Sequence, residues 1–246
     1  MRGGGPVRRR VISSDRVARI LTDVQADVDT VAGVQVAGRL VSACQQALPI
    51  TGAGLSWLTD HGQRGLVAAT DTTAQLVEEL QFSLGEGPCI ESSKSRRPVL
   101  LPDLTRLASQ RWPTFTASAL GAGIAAIFAF PLQVGAISVG VMDMYRDVAG
   151  PLSVADLAEA SAFAAAGTIM LLNLQASSRY LDVHPFLDAS LIGRAEVHQA
   201  TGMVAVQMDV DLDTALVLLR ARAYAADRGI VDIAHDVVMR RIRFEP

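Results

Sequence analysis

The sequence predicts an α+β fold: an antiparallel sheet with flanking helices over residues 15–178, then a small helical bundle over 191–246. Two observations carry this. Short apolar runs bounded by turn residues recur at Ala53–Thr59, Leu66–Thr70, Pro98–Pro102, Ile124–Pro131 and Ile137–Tyr145, and helical periodicity fills the intervals between them. Beyond Pro185 the pattern changes, and Asp188 to Phe244 holds three amphipathic segments with very short connections, as in a helical bundle.

The elements follow in order. Ser14 or Asp15 caps a helix with Val17, Ile20, Leu21 and Val24 on one face, and a second helix runs from about Asp29 to Leu48, where Pro49 stops it. Asp60-His61-Gly62 turns the first two strands into a hairpin. Asp71 opens a short helix through Leu80, with Leu76 and Leu80 expected on its inner side. In LGEGPC (Leu84–Cys89), Gly85 and Gly87 bracket Glu86 and Pro88 fixes the backbone before Cys89. This spacing makes a rigid turn whose amides can face an anion or a capping carboxylate. No GKS or GKT follows, so the turn is not a P-loop. Asp103 caps the turn after the third strand, and Leu152–Ser178 is a long helix with Ser153 at its N-cap and Asp156 three residues on. Leu157, Ala160, Ala164, Gly167, Leu171 and Leu174 form a near-heptad seam on it, suited to packing on a sheet and to pairing with a second copy.

Composition narrows the function. Half of the residues are hydrophobic and 19% are charged, which permits a substantial core, and a net charge of -3 argues against a protein that coats nucleic acid non-specifically. Cys44 and Cys89 belong to no CxxC pair and have no histidine cluster near them, so two inert thiols in a reducing compartment are expected and no metal site is predicted. The basic, Gly-rich residues 1–14 lack a following apolar stretch and read as a disordered arm. Trp112 to Met142 carries no charge, but its glycines and Pro131 fit two strands better than a membrane helix, and the small residues of Ala160–Leu174 fit a packed helix.

LGEGPC, RRPVLLPDL (Arg96–Leu104), RWPTF (Arg111–Phe115) and GVMDMYR (Gly140–Arg146) together resemble a GAF domain of the kind found in actinobacterial regulators. GRAEVHQATGMVAVQ (Gly193–Gln207), TALVLLRARAYA (Thr214–Ala225) and VDIAHDVV (Val231–Val238) resemble an ANTAR domain. In this order the two are similar to the GAF–ANTAR family of transcription antitermination regulators. The resemblance implies a cytoplasmic, dimeric, non-enzymatic protein. Its sensor would occupy 15–178, a linker 179–190 and an RNA-binding head 191–246, which would bind paired hairpins in nascent mRNA leaders. The family commonly has a lysine where this chain has Thr201, which removes one phosphate contact.

RNA loops are read by stacking on aromatic or guanidinium planes, with cations on phosphates. The candidates in the head are Arg194, His198, Arg220, Arg222, Tyr224, Arg240, Arg241 and Arg243. Each has a plainer reading: a salt bridge to a neighbouring helix for Arg220, bundle packing for Tyr224, helix-dipole complementation for the terminal arginines. Asp211 caps the second helix of the head, and Asp213 complements the positive end of its dipole.

In the sensor, two cysteines are too few for a GAF-type methionine sulfoxide reductase, and no bilin-attachment or cyclic-nucleotide signature is present. His61 belongs to a turn, so no haem ligand lies on the pocket strands and no cofactor is predicted. An apolar small-ligand pocket lined by Trp57, Phe82, Cys89, Phe128 and Phe130 is the expectation, each of the five having core packing as its plainer role. Competing functions are a DNA-binding regulator, disfavoured by the plain Asp-Arg-Gly turn before the last helix, and a ligand sensor acting through protein partners. An enzyme lacks a nucleophile–base pair.

Overall fold

The structure, a computed structural model, describes residues 13–25, 33–58, 64–181 and 189–245. The sheet comprises β1 (Gly52–Leu58), β2 (Arg64–Ala69), β3 (Val99–Leu101), β4 (Ala126–Val134) and β5 (Ile137–Arg146), in the order β2-β1-β5-β4-β3, with every pairing antiparallel. The uncharged stretch is thus a hairpin preceded by helix α6 (Pro113–Gly121). The expected arm and the Asp60-His61-Gly62 turn lie outside the described residues.

Because β5 is central, its alternate side chains enter two different layers. Met142 and Met144 join Leu55, Phe128, Phe130 and Leu132 in a core covered by α1 (Ser14–Gln25), α2 (Gly33–Ala47) and α7 (Val154–Leu181). Val141 and Tyr145 join Ile127 and Ala129 on the other face, beneath α3 (Thr72–Leu84), α4 (Pro88–Ser95), α5 (Leu104–Arg111) and α6. The predicted α7 seam packs as expected, with Ala160, Ala164, Leu171 and Leu174 buried, and a Ser153–Asp156 capping box starts the helix. Arg16 pairs with Glu159 and ties α1 to α7. Residues 154–176 of α7 are long and apolar enough to cross a membrane, and half of their most apolar window is buried in this fold.

Helix α3 differs from expectation. Leu76 is 41% exposed, and the inward face carries Ala74, Val77, Glu78 and Gln81 instead. The reason lies below it: the sheet presents a polar group, Asp143, so the helix turns polar side chains toward the sheet. Asp71 caps α3, accepting from the Ala74 amide at 2.8 Å and from the Tyr145 hydroxyl at 2.9 Å.

The glycine-bracketed turn joins α3 to α4. Gly85 (φ 69°) ends α3 and Gly87 (φ 131°) precedes Pro88, the first residue of α4. Its capping carboxylate is its own: Glu86 accepts from the Thr114 and Phe115 amides at 3.0 and 2.9 Å, at the start of α6. One carboxylate thereby satisfies two amides that the helix leaves without internal partners.

The last three helices are α8 (Ala189–Met208), α9 (Leu212–Ala225) and α10 (Ile230–Val238), packed around Val197, Ala200, Val204, Ala215, Leu219, Ile233 and Val237. Asp211 caps α9 through the Thr214 amide at 2.7 Å, as its position predicts.

Two stability predictions follow from the caps. Asp71→Ala should cost about 1 kcal/mol at pH 7 in denaturant unfolding. Burial pushes the Asp71 carboxyl up, but hydrogen bonds from Thr70, Ala74, Tyr145 and Thr73 outweigh it and hold the group below its ordinary value. A lowered folded-state value stabilises the protein above the unfolded-state pKa, so the variant's deficit should shrink as pH falls below about 4. Glu86→Ala, which strips two amides of their acceptor, should cost about 1–2 kcal/mol in the same assay.

Candidate functional site

Two regions concentrate polar chemistry, one inside the sensor and one on the terminal bundle. The first is built on β5. Asp143 stands in register between Gly54 of β1 and Ala129 of β4, at the middle of the sheet, and is 4% exposed. Above it α3 supplies Glu78, 3% exposed, and Gln81, while the start of α4 supplies Cys89. The Gln81 side chain bridges two elements: its Nε2 donates to Asp143 Oδ2 at 3.0 Å and its Oε1 accepts from the Cys89 amide at 2.6 Å. Gly87 admits this bridge, since a Cβ there would lie 2.8 Å from Gln81.

One donor atom each from Glu78, Cys89 and Asp143 lies within 4.8 Å of the other two. Oε1 of Glu78 and Oδ1 of Asp143 are buried and meet no hydrogen-bond donor among the described residues when both groups are ionised. Burial, reinforced by the neighbouring Glu78, pushes the Asp143 carboxyl well above the ordinary carboxylate range. A protonated Asp143 can then donate to Glu78, which is one way to supply the positive charge that the pair lacks.

Of this cluster, sequence reasoning singled out Cys89 alone. Glu78 and Gln81 were legible only as polar residues at helical spacing to Ala74 and Val77, and Asp143 only as a lone acid within an apolar strand. The five side chains expected to line one apolar pocket are instead spread over three cores. Phe128, Phe130 and the partly buried Trp57 face α1, α2 and α7; Cys89 faces the opposite layer; Phe82 packs with the terminal bundle. Strand alternation separates the first three from Cys89.

The second region lies between α8 and the residues after α10. Gln199, Gly202, Met203, Val206, Gln207, Arg240, Ile242 and Arg243 line a cleft of about 640 Å³. Its far wall turns back on itself: Arg240 adopts φ 58°, and the Asp236 carbonyl accepts from the Arg241 amide at 2.7 Å. The Gln207 side chain accepts from the Phe244 amide at 2.9 Å, fastening the chain end to α8.

The cleft brings together only Arg240 and Arg243 of the eight predicted nucleic-acid contacts. Arg241 pairs with Asp236, which also holds Arg228. Arg222 is exposed on α9, and Tyr224 on the same helix is 74% exposed rather than packed in the bundle. His198 is half-buried on α8, and the Arg194 side chain lies outside the described residues. The Arg220 Nη2 donates to the Phe82 carbonyl of α3 at 2.8 Å. Thr201 is 6% exposed and donates to the Val197 carbonyl at 2.7 Å, so this position faces the bundle interior.

Comparison with known proteins places the sensor. No curated protein sequence matches the chain. Among solved structures, a GAF domain from an Acinetobacter phosphoenolpyruvate-protein phosphotransferase is similar with a TM-score of 0.52 and 15% identity, over 67% of this chain and 96% of that one. The GAF domain of the Coxiella burnetii phosphoenolpyruvate-protein phosphotransferase is similar with a TM-score of 0.50 and 15% identity, over 68% and 99% of the respective chains. At these identities the likeness is one of fold. The GAF domain family model matches residues 35–171, more than half of the sequence, and the chain belongs to the GAF domain family.

Proposed function

We propose that this protein is a signal-responsive regulator of gene expression whose terminal bundle binds hairpin loops of nascent mRNA and promotes antitermination. Membership of the GAF family supports the sensing half, with residues 15–178 receiving a small ligand or another signal without turning it over. The observation that carries the RNA half is the α8–α10 cleft. It sets two guanidinium groups, Arg240 and Arg243, and two carboxamides, Gln199 and Gln207, beside an apolar floor that includes Met203 and the 84% exposed Val206. Arginines neutralise phosphates, carboxamides can hydrogen-bond base edges, and an exposed apolar floor accepts the face of an unstacked base. Exposed Tyr224 and Arg222 on α9 extend this chemistry on the surface of the bundle.

Two copies per paired-hairpin target fit the same reading. Ile169 and Leu172 project from α7 with 40% and 37% exposure, one helical turn apart and outside the core. A homodimer acting in the cytoplasm would present two heads to two loops.

The test is binding of the full chain to a twin-hairpin leader RNA, with duplex DNA as competitor, across a salt series. Arg240→Ala and Arg243→Ala should each weaken binding and lower the log–log salt slope by roughly 0.7 to 1 per phosphate contact removed. RNA binding by the double variant with wild-type affinity and slope would show that the cleft is not the contact surface.

A further inference from the structure

We propose that the buried Glu78–Cys89–Asp143 cluster of the sensor is a binding site for a single divalent transition-metal cation, of which Zn²⁺ best matches the donors. The spacing is that of an ion. Three donor atoms within 4.8 Å of one another leave no place between them for an organic molecule, whereas a tetrahedral Zn²⁺ with bonds of about 2.0–2.3 Å holds its ligands about 3.3–3.8 Å apart. Small side-chain movements bridge that difference.

Charge argues in the same direction. Two carboxyl groups, each nine-tenths or more buried, keep one oxygen apiece without a hydrogen-bond donor among the described residues. Buried anions are costly unless paired or bound to metal. The described neighbours that hold the cluster in place, Gln81 and the Cys89 backbone amide, are neutral.

One thiolate with two carboxylates is a mixed soft and hard donor set, which suits Zn²⁺ better than Mg²⁺ or Ca²⁺. Gln81 is the positioning residue, because it fixes Asp143 through Nε2 and the Cys89 backbone through Oε1. Three protein ligands leave the fourth tetrahedral position for water or a signal molecule.

The chemistry balances as an exchange. The cation displaces the Cys89 thiol proton and any proton held on the two carboxyl groups; these leave to solvent, three metal–ligand bonds form, and no electron moves.

The experiment uses the full chain, stripped with chelator and titrated with Co²⁺ and then Zn²⁺. One equivalent of Co²⁺ should give a thiolate-to-cobalt charge-transfer band in the near ultraviolet that Zn²⁺ erases, with protons released on binding at neutral pH. Cys89→Ser should abolish the band, while Cys44→Ser, at the other thiol, should leave it. Glu78→Gln and Asp143→Asn should each weaken Zn²⁺ binding by at least about tenfold. Should a variant not fold, the wild type still decides the matter: Zn²⁺ must raise its melting temperature and chelator must reverse the rise. Absence of the band at one equivalent, its survival in Cys89→Ser, or no Zn²⁺-dependent stabilisation of wild type overturns the proposal. None of these readouts involves RNA, so the site stands or falls separately from the terminal head.

Discussion

The constraint on which the sensor is built is the central position of β5 (Ile137–Arg146). Paired on one side with β1 and on the other with β4, it is buried on both faces from Val139 to Tyr145. Every second residue must satisfy a helical layer of different character. Toward α1, α2 and α7 Met142 and Met144 meet leucines and phenylalanines. Toward α3 and α4 the strand presents Asp143 in an otherwise apolar row, and the opposing helices adapt. Glu78, Gln81 and the backbone of Cys89 converge on it, and the Gly85–Pro88 turn is shaped to let Gln81 reach both partners.

That adaptation explains how much of the fold was legible. The strands and most helix boundaries follow from period and punctuation: Asp71 caps α3, Ser153 opens α7 and Asp211 caps α9 where the sequence places them. The inward face of α3 was only partly legible: Leu80 packs against the core as expected, but Leu76 does not, because the position above the buried acid is taken by polar side chains. Leu76 yields its place to a polar pair, Glu78 and Gln81, and Gln81 donates to Asp143, 62 residues further on in the chain. A pocket assembled by gathering aromatic residues fails for a related reason. Trp57, Phe128 and Phe130 share a sheet with Asp143 but occupy its other side.

In the terminal bundle the same contrast holds between architecture and surface. Apolar spacing was enough to foresee three helices, yet it cannot tell which arginines are engaged within the fold. Arg241 and Arg228 share the Asp236 carboxylate, which their hydrogen bonds hold below its ordinary value, and Arg220 is drawn across to the sensor. Arg240 and Arg243 line the cleft because the backbone reverses at Arg240, a conformation that nothing in the local residue types announces.

Helix α3 joins these two halves. One turn of it carries Glu78 and Gln81 toward the sheet, and the Phe82 carbonyl next along accepts from Arg220 of α9. Gly85 serves both sides at once, ending the helix and leaving space for the guanidinium, which a Cβ would approach to 2.6 Å. The sensor interior and the seating of the bundle are therefore two readings of one helix position. Thermodynamic reciprocity then applies: to the extent that the seating of the bundle on α3 alters the affinity of the sheet face for an occupant, that occupant alters the seating of the bundle by the same coupling free energy. A shift within that single helical turn would move the Asp143 partner and the Arg220 acceptor together.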